Sequence, residues 1–348
     1  MKILIISDAW EPQLNGVVRT YQNIIPELEA LGHTIKILGP RDCPHRTSPI
    51  NHDVELALFP KKTIEETLDS FEPDRVHIAV EGPIGWAARK ICMSRKIKFT
   101  TCFHSNFPNF LTAHLKGIFK KLAPWISKKC YAFLRKFHES SSGIFVASKA
   151  LEEELVSHGF KGPFLPMTRG AKAEYFHTGS ATKFEGLPRP IILSVGRVSQ
   201  EKNLDVFLSA KCEGTKVVIG EGPYLEELKK KYPDVVFLGR REKEELGEYF
   251  RSADVFAFPS EFDTFGIVQV EALISGIPVA ALDSYAAKSV LTTPLFGNYD
   301  NDFEIALQKA IASIGDQSTR EQRSQKAREQ YSWGKAAKQF LAFDPSLV

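Results

Sequence analysis

The chain has 348 residues, 43% of them hydrophobic and 25% charged, and a formal net charge of +3. That composition is globular rather than disordered, and at about 100–200 residues per domain it supplies core for one large or two ordinary domains. Five cysteines (Cys43, Cys92, Cys102, Cys130 and Cys212), never in C-x-x-C spacing, argue against a disulfide framework or a structural zinc site and fit a reducing compartment.

The first apolar run, residues 3–6, ends before Asp8 and Glu11. It is far short of the roughly 18 apolar residues of a membrane span and lacks the basic opening of a signal peptide. The expectation is a cytoplasmic protein whose chain opens on a strand. A turn at Asn15-Gly16 leads into a helical pattern over 17–31, stopped by Gly32, and 33–38 is the next strand. Further strands are expected at 54–58, 75–78, 99–102 and 144–147, with helices at 64–70 and 151–158. Continuous apolar strands alternating with helices predict a parallel sheet covered on both faces. The pattern loosens over 162–190, then restarts with a strand at 190–196, a helix at 204–210 and strands at 215–219, 235–238, 255–258 and 278–281. Two βαβ series predict an α/β protein of two Rossmann-like domains, residues 1–170 and 190–331, joined by a linker at 171–189 and facing each other across a deep cleft. Ligands of open α/β sheets bind beyond the carboxyl ends of the strands, so the cleft is the expected site.

Several segments place chemistry there. Gly196-Arg197 closes the first strand of the second series, and Lys202-Asn203 precedes its helix. A guanidinium fork and a compact ammonium can grip a diphosphate, although taken alone they read more simply as a solvated turn. Gly220-Glu221-Gly222-Pro223 either lets backbone approach a ligand or simply turns the chain. Residues 259–279 are the richest segment. A helix starting near Thr264 or Phe265, at the carboxyl end of a strand, presents unpaired N–H groups to an anion. Asp263 is expected to cap it, with Glu271 about 12 Å further along its axis. Two such carboxylates can touch opposite ends of one extended ligand; the plainer reading is a cap and a solvated Glu. His104 follows the strand at 99–102 and reads either as a ligand contact or as a structural histidine. Asp300-Asn301-Asp302 has D-x-D spacing but reads as a loop and helix start, with no strand to place it beside the cleft. The P-loop, zincin and nucleophile-elbow motifs are absent.

Charge is uneven. Residues 82–138 carry 12 Lys or Arg and no Asp or Glu, while the rest of the chain holds 33 basic and 42 acidic residues. Such asymmetry attracts anions. Within it Leu115, Ile118, Leu122, Trp125 or Ile126, Phe133 and Phe137 recur among Lys116, Lys120, Lys121, Lys128, Lys129, Arg135 and Lys136, with Pro124 expected to break or kink the helix. Basic faces beside Trp and Phe suit anionic lipid, and the same pattern serves a helix packed on its own domain with solvated lysines. No nucleic-acid module accompanies the charge, and nucleic acid is not an expected partner.

Taken in order, the segments SDAWEPQLNGVVRTYQNIIPELEALGH, VGRVSQEKNLDVFL, GEGP, FLG, PSEFDTFGIVQVEALISGIPV and YSWGKAAKQFL resemble a family 4 glycosyltransferase, the retaining GT-B type, over nearly the whole chain. HIAVEGPIGWAAR, TCFHSNFPNF and the DTFG spelling are similar to bacterial mannosyltransferase-like and lipid glycosyltransferase-like members. The resemblance implies a GT-B fold whose last helix, 332–348, completes the first domain. It implies transfer of a hexose, in the first instance mannose from GDP-mannose, to a lipid or glycan at the cytoplasmic membrane face, in lipopolysaccharide or glycolipid biosynthesis. The alternatives are a UDP-linked glucose, galactose or GlcNAc with a soluble acceptor, and an inactive nucleotide-binding scaffold. No metal and no cofactor beyond the nucleotide sugar is implied.

By the same resemblance Arg197 and Lys202 would hold the donor diphosphate, with the backbone around Gly16 and Gly196 and the helix start at Thr264, Phe265, Gly266 and Ile267. Glu271 would bind the ribose, Asp263 the donor sugar and His104 the sugar near the reacting carbon, with the base near Gly239-Arg240. Arg19, Glu81, Lys120, Lys121, Lys128 and Lys129 fall on the acceptor or membrane side, consistent with a monomer or weak dimer in peripheral contact with an anionic membrane. Three departures stand out: Asp263 replaces the first Glu of an E-x7-E pair, Asp283-Ser284-Tyr285-Ala286-Ala287 stands where Gly-Gly is usual, and Gly170-Ala171-Lys172 stands where Gly-Val-Asp is common.

Overall fold

The computed structural model describes residues 1–13, 15–48, 54–104 and 118–343. The chain divides into two units, Met1–Thr168 with Trp333–Val348, and Arg169–Ser332. Residues 171–189 therefore lie within the second unit.

In the first unit, β1 (Lys2–Ile6), β2 (Thr34–Leu38), β5 (Arg75–Ile78), β6 (Phe99–Cys102), β7 (Gly143–Val146) and β8 (Phe164–Pro166) form a parallel sheet in the order β2-β1-β5-β6-β7-β8. Ile3, Leu4, Ile5 and Ile6 are all fully buried, which is why the central strand reads as a continuous apolar run. The expected strand at 54–58 is a correction. It forms β4 (Glu55–Ala57), which pairs antiparallel with β3 (His45–Thr47) outside the main sheet. Three half-exposed residues cannot sit in a sheet covered on both faces. β8 comes from the stretch whose pattern loosens, and its Pro166 is tolerated because the strand is at an edge.

The helix Ile118–His138 runs through Pro124 without a break, contrary to expectation. Tyr131, Leu134 and Phe137 bury against the domain further along and hold it. The helix Trp333–Ala342 packs on this unit: Phe340 lies 5.0 Å from the His77 ring and 5.1 Å from the Phe145 ring, and Arg75 donates to the Phe340 carbonyl at 3.0 Å.

The second unit repeats the plan with β9 (Ile191–Val195), β10 (Thr215–Ile219), β11 (Val236–Phe237), β12 (Val255–Phe258), β13 (Val279–Leu282) and β14 (Gly297–Asp300), all parallel, in the order β11-β10-β9-β12-β13-β14. β14 leads directly into Asp300-Asn301-Asp302, against the expectation of no strand there. Asp302 nonetheless caps the helix Phe303–Ala312, accepting from the Glu304 N–H at 2.9 Å. The fully buried Arg323 donates to the carbonyls of Leu295, Gly276 and Ser313 at 2.6–2.7 Å and ties the last helix of the unit, Gln317–Gln330, to the sheet layer. In each sheet the first strand connects to one neighbour and pairs with a later strand on its other side. The switch points therefore fall between β1 and β5 and between β9 and β12, where ligands of this architecture bind.

Candidate functional site

In the second unit, the carboxyl ends of β9 and β12 carry the expected donor-binding residues. Gly196 follows β9 at φ 154, with open space where a Cβ would stand. Arg197 is exposed and forms no ion pair among the described residues. A Cβ on Gly220 would collide with the Gly196 carbonyl oxygen, and one on Gly222 with the Val198 carbonyl oxygen. The Gly220-Glu221-Gly222-Pro223 glycines thus serve backbone-to-backbone packing of two adjacent strand ends.

Lys202 Nζ reaches both carboxylate oxygens of Asp263, at 2.7 and 2.8 Å. Burial pushes the Asp263 carboxyl up, but the charge and hydrogen bonds of Lys202 outweigh it and hold it below the ordinary carboxylate range. This overturns the expectation that Asp263 caps the following helix. That helix is Ile267–Ile274, and its N-cap is Gly266 in the left-handed region at φ 70, a position where a Cβ would strike the Phe258 ring. Thr264 and Phe265 precede the helix rather than open it. Glu271 is 8% exposed in mid-helix, and because Asp263 lies outside the helix, helical rise does not set the distance between the two carboxylates. No side chain caps Ile267–Ile274, so its first turn keeps the donor character that suits an anion.

The departure at Asp283-Ser284-Tyr285-Ala286-Ala287 is a capped helix start. Ser284 Oγ accepts from the Ala287 N–H at 3.2 Å, and Asp283 pairs with Lys288 at 2.5 Å. The fully buried Gln269 amide donates to the carbonyls of Phe265 (2.9 Å) and Ala286 (3.3 Å), joining this segment to the Gly266 turn. Arg240 is exposed just after β11.

In the first unit, Asn15 caps the helix Gly16–Ala30, and its Oδ1 accepts from the N–H groups of Val17 and Val18, both at 3.0 Å. Those two donors are engaged by the chain itself, while Gly16 has open space at its Cβ position. Arg19 is half-buried on the same helix. His104, after β6, lies 3.0 Å through Nε2 from the Tyr21 hydroxyl, which also lies 2.7 Å from His77 Nε2. Glu81 accepts from the buried His138 Nε2 at 2.9 Å, and His138 Nδ1 lies 2.8 Å from Thr101 Oγ1. Glu81 is therefore tied to a buried polar group. Asp8, at the end of β1, accepts from the N–H groups of Ile84 and Gly85 at 2.8 and 2.9 Å and caps the helix Pro83–Arg95 from outside. Burial pushes its carboxyl up to about 6 against those two donors.

Asp8, Tyr21, His77 and His138 escaped the sequence reading. The available signal was a histidine inside Arg75-Val76-His77-Ile78, a strand buried throughout.

On the helix Ile118–His138, Leu122, Trp125 and Phe133 are 46, 61 and 53% exposed, interspersed with exposed Lys121, Lys128 and Lys129. Lys129 Nζ lies 5.7 Å over the Trp125 ring. The helix thus anchors one face and presents a basic, apolar face outward. The Lys120 side chain, and the part of the basic segment before residue 118, lie outside the described residues. Among the described residues no helix is long and apolar enough to cross a membrane, and no group of three or more His, Cys, Asp or Glu could hold a metal ion.

Residues 14–163 match the family model Glycosyltransferase Family 4, and residues 181–330 match Glycosyl transferases group 1. A GDP-mannose-dependent alpha-mannosyltransferase of Mycobacterium tuberculosis is 26% identical over 340 residues, 90% of this chain and 88% of that protein. The sulfoquinovosyl transferase SQD2 of Arabidopsis thaliana is also 26% identical, over 92% of this chain and 68% of that protein. Among solved structures, the sucrose-phosphate synthase of Thermosynechococcus elongatus superposes with a TM-score of 0.73 at 18% identity, covering 98% of this chain and 97% of that one.

Proposed function

We propose that this chain, a GT-B-fold glycosyltransferase related to the group 1 and family 4 enzymes, moves a hexose from a nucleoside-diphosphate sugar to its acceptor with retention of configuration. The observation that carries the reading is the paired Lys202 and Asp263 beside the uncapped start of Ile267–Ile274.

As the sugar–phosphate bond breaks, positive charge grows on the ring and negative charge on the leaving diphosphate. Arg197, Lys202 and the first-turn N–H groups meet that negative charge, where fixed donors contribute most. Asp263 orients Lys202 and reaches toward the sugar, Glu271 takes the ribose hydroxyls, and His104 stands against the sugar. An acceptor hydroxyl attacks the anomeric carbon from the face the diphosphate leaves; the carbon–oxygen bond to phosphate breaks and the hydroxyl proton passes to the departing phosphate. A carboxylate nucleophile is the other route to retention. Asp263 is committed to Lys202, and this favours the same-face path.

The two relatives differ in the sugar their names give, mannose in one and sulfoquinovose in the other, at equal identity. A UDP-hexose therefore fits at least as well as GDP-mannose. The exposed face of Leu122, Trp125, Phe133 and their lysines supports a lipid acceptor at an anionic surface, with a soluble glycan as the second reading. The test is a panel of GDP-mannose, UDP-glucose, UDP-galactose and UDP-GlcNAc, with and without membrane lipid, and proton NMR of the product's anomeric centre. Turnover of one donor to a product of unchanged anomeric configuration supports the reading. Inversion refutes the mechanism, and nucleotide binding without turnover refutes the activity.

A further inference from the structure

A buried polar thread in the first unit leads from the sheet interior to His104. His77 is fully buried in β5, with the Phe340 ring at 5.0 Å and the Phe145 ring at 5.6 Å. Burial drives its imidazole down to about 3, so it is neutral. Both of its nitrogens are engaged: Nδ1 lies 2.9 Å from Thr100 Oγ1 and Nε2 lies 2.7 Å from the Tyr21 hydroxyl. The same hydroxyl lies 3.0 Å from His104 Nε2.

A neutral imidazole has one N–H and a phenol one O–H, so these three hydrogen bonds point the same way along the thread. Their lengths select the direction. Hydroxyl donors favour about 2.7–2.8 Å and N–H donors about 2.9–3.0 Å. The 2.7 Å link is then the Tyr21 hydroxyl donating to His77 Nε2. The 2.9 and 3.0 Å links are His77 Nδ1–H donating to Thr100 and His104 Nε2–H donating to Tyr21. The reverse direction would put an N–H donor at the shortest link and a phenol at the longest.

We propose that Tyr21 and His77 are positioning residues that hold His104 as its Nε2–H tautomer, with Nδ1 as the acceptor nitrogen. This rests on the reading of His104 as the contact to the donor sugar. In that tautomer Nδ1 accepts a hydrogen bond from a sugar hydroxyl, whereas the other tautomer would present an N–H there. The buried thread thus decides which polar groups of the donor His104 can meet.

The experiment is long-range proton–nitrogen NMR of the full chain with nitrogen-15 histidine, recorded where His104 is neutral, with His104→Gln to assign its signals. The proposal expects His104 protonated at Nε2 and unprotonated at Nδ1. In Tyr21→Phe the two nitrogens shift toward each other as the tautomers mix, and kcat falls about 10–100-fold with donor KM within about twofold. A wild-type His104 protonated at Nδ1 overturns the proposal, as does a Tyr21→Phe spectrum identical to the wild type. Should Tyr21→Phe fail to fold, the wild-type spectrum alone decides. A chain that consumes no donor while His104 stays protonated at Nε2 upholds the thread and removes the transferase reading instead.

Discussion

Replacing Lys202 by Met strips Asp263 of the cation that holds it ionised. The pair has contacts of 2.7 and 2.8 Å, and its side chains are 30 and 27% exposed. Such a pair falls between a surface ion pair, at about 0–1 kcal/mol, and a buried one broken on one side, at about 3–5 kcal/mol. Lys202→Met is therefore expected to destabilise the protein by about 1–3 kcal/mol near neutral pH. The sign of the pH dependence is the sharper consequence. In the wild type the Asp263 carboxyl lies below its ordinary value, so the stability it contributes is present above that value and is lost as pH falls through the depressed one. Without Lys202, burial acts alone and raises the carboxyl, so its contribution is present at low pH and is lost as pH rises. Urea midpoints across the acid range for wild type, Lys202→Met and Lys202→Met/Asp263→Asn measure this. The double variant should recover most of the lost midpoint near neutral pH while turnover stays lost. If Lys202→Met follows the wild-type pH profile at unchanged stability, the two side chains are not paired in solution and the diphosphate grip loses its anchor.

Three further outcomes follow from the same structure. Asp8→Asn should flatten a wild-type fall in stability between pH 4 and 6, because a carboxyl raised to about 6 stabilises below its ordinary value of 3.8 and ceases to do so as pH rises through 6; thermal melts across that range read it. Asp8→Ala should cost about 0.5–2 kcal/mol through loss of the cap on Pro83–Arg95, read by urea midpoints. Neutralising Lys120, Lys121, Lys128 and Lys129 together should abolish salt-sensitive binding to anionic vesicles in a sedimentation assay, and equal binding by wild type and variant would remove the lipid-surface reading.

The strands at 3–6, 75–78, 99–102 and 191–195 were legible because burial on both faces demands unbroken apolar runs. β3 (His-Arg-Thr) and β14 (Gly-Asn-Tyr-Asp) were not, because exposed or edge positions carry polar residues with no alternation to read. Lys202 and Asp263 were both singled out, but in separate roles. Their pairing joins residues 61 positions apart, which local spacing cannot express. The helix start slipped because Gly266 fits equally inside the run or at its left-handed cap, and only the nearby Phe258 ring decides. His77 passed unnoticed because its reason to be polar lies on Tyr21 and Thr100, in other elements.

The most direct test of the central claim is the rate of nucleoside diphosphate release from the preferred donor by wild type and Arg197→Ala. If Arg197 meets the charge of the leaving diphosphate, the variant should fold normally, bind the free nucleoside with little change and turn over about 10²–10⁴-fold more slowly. Near-normal turnover by Arg197→Ala would contradict the account.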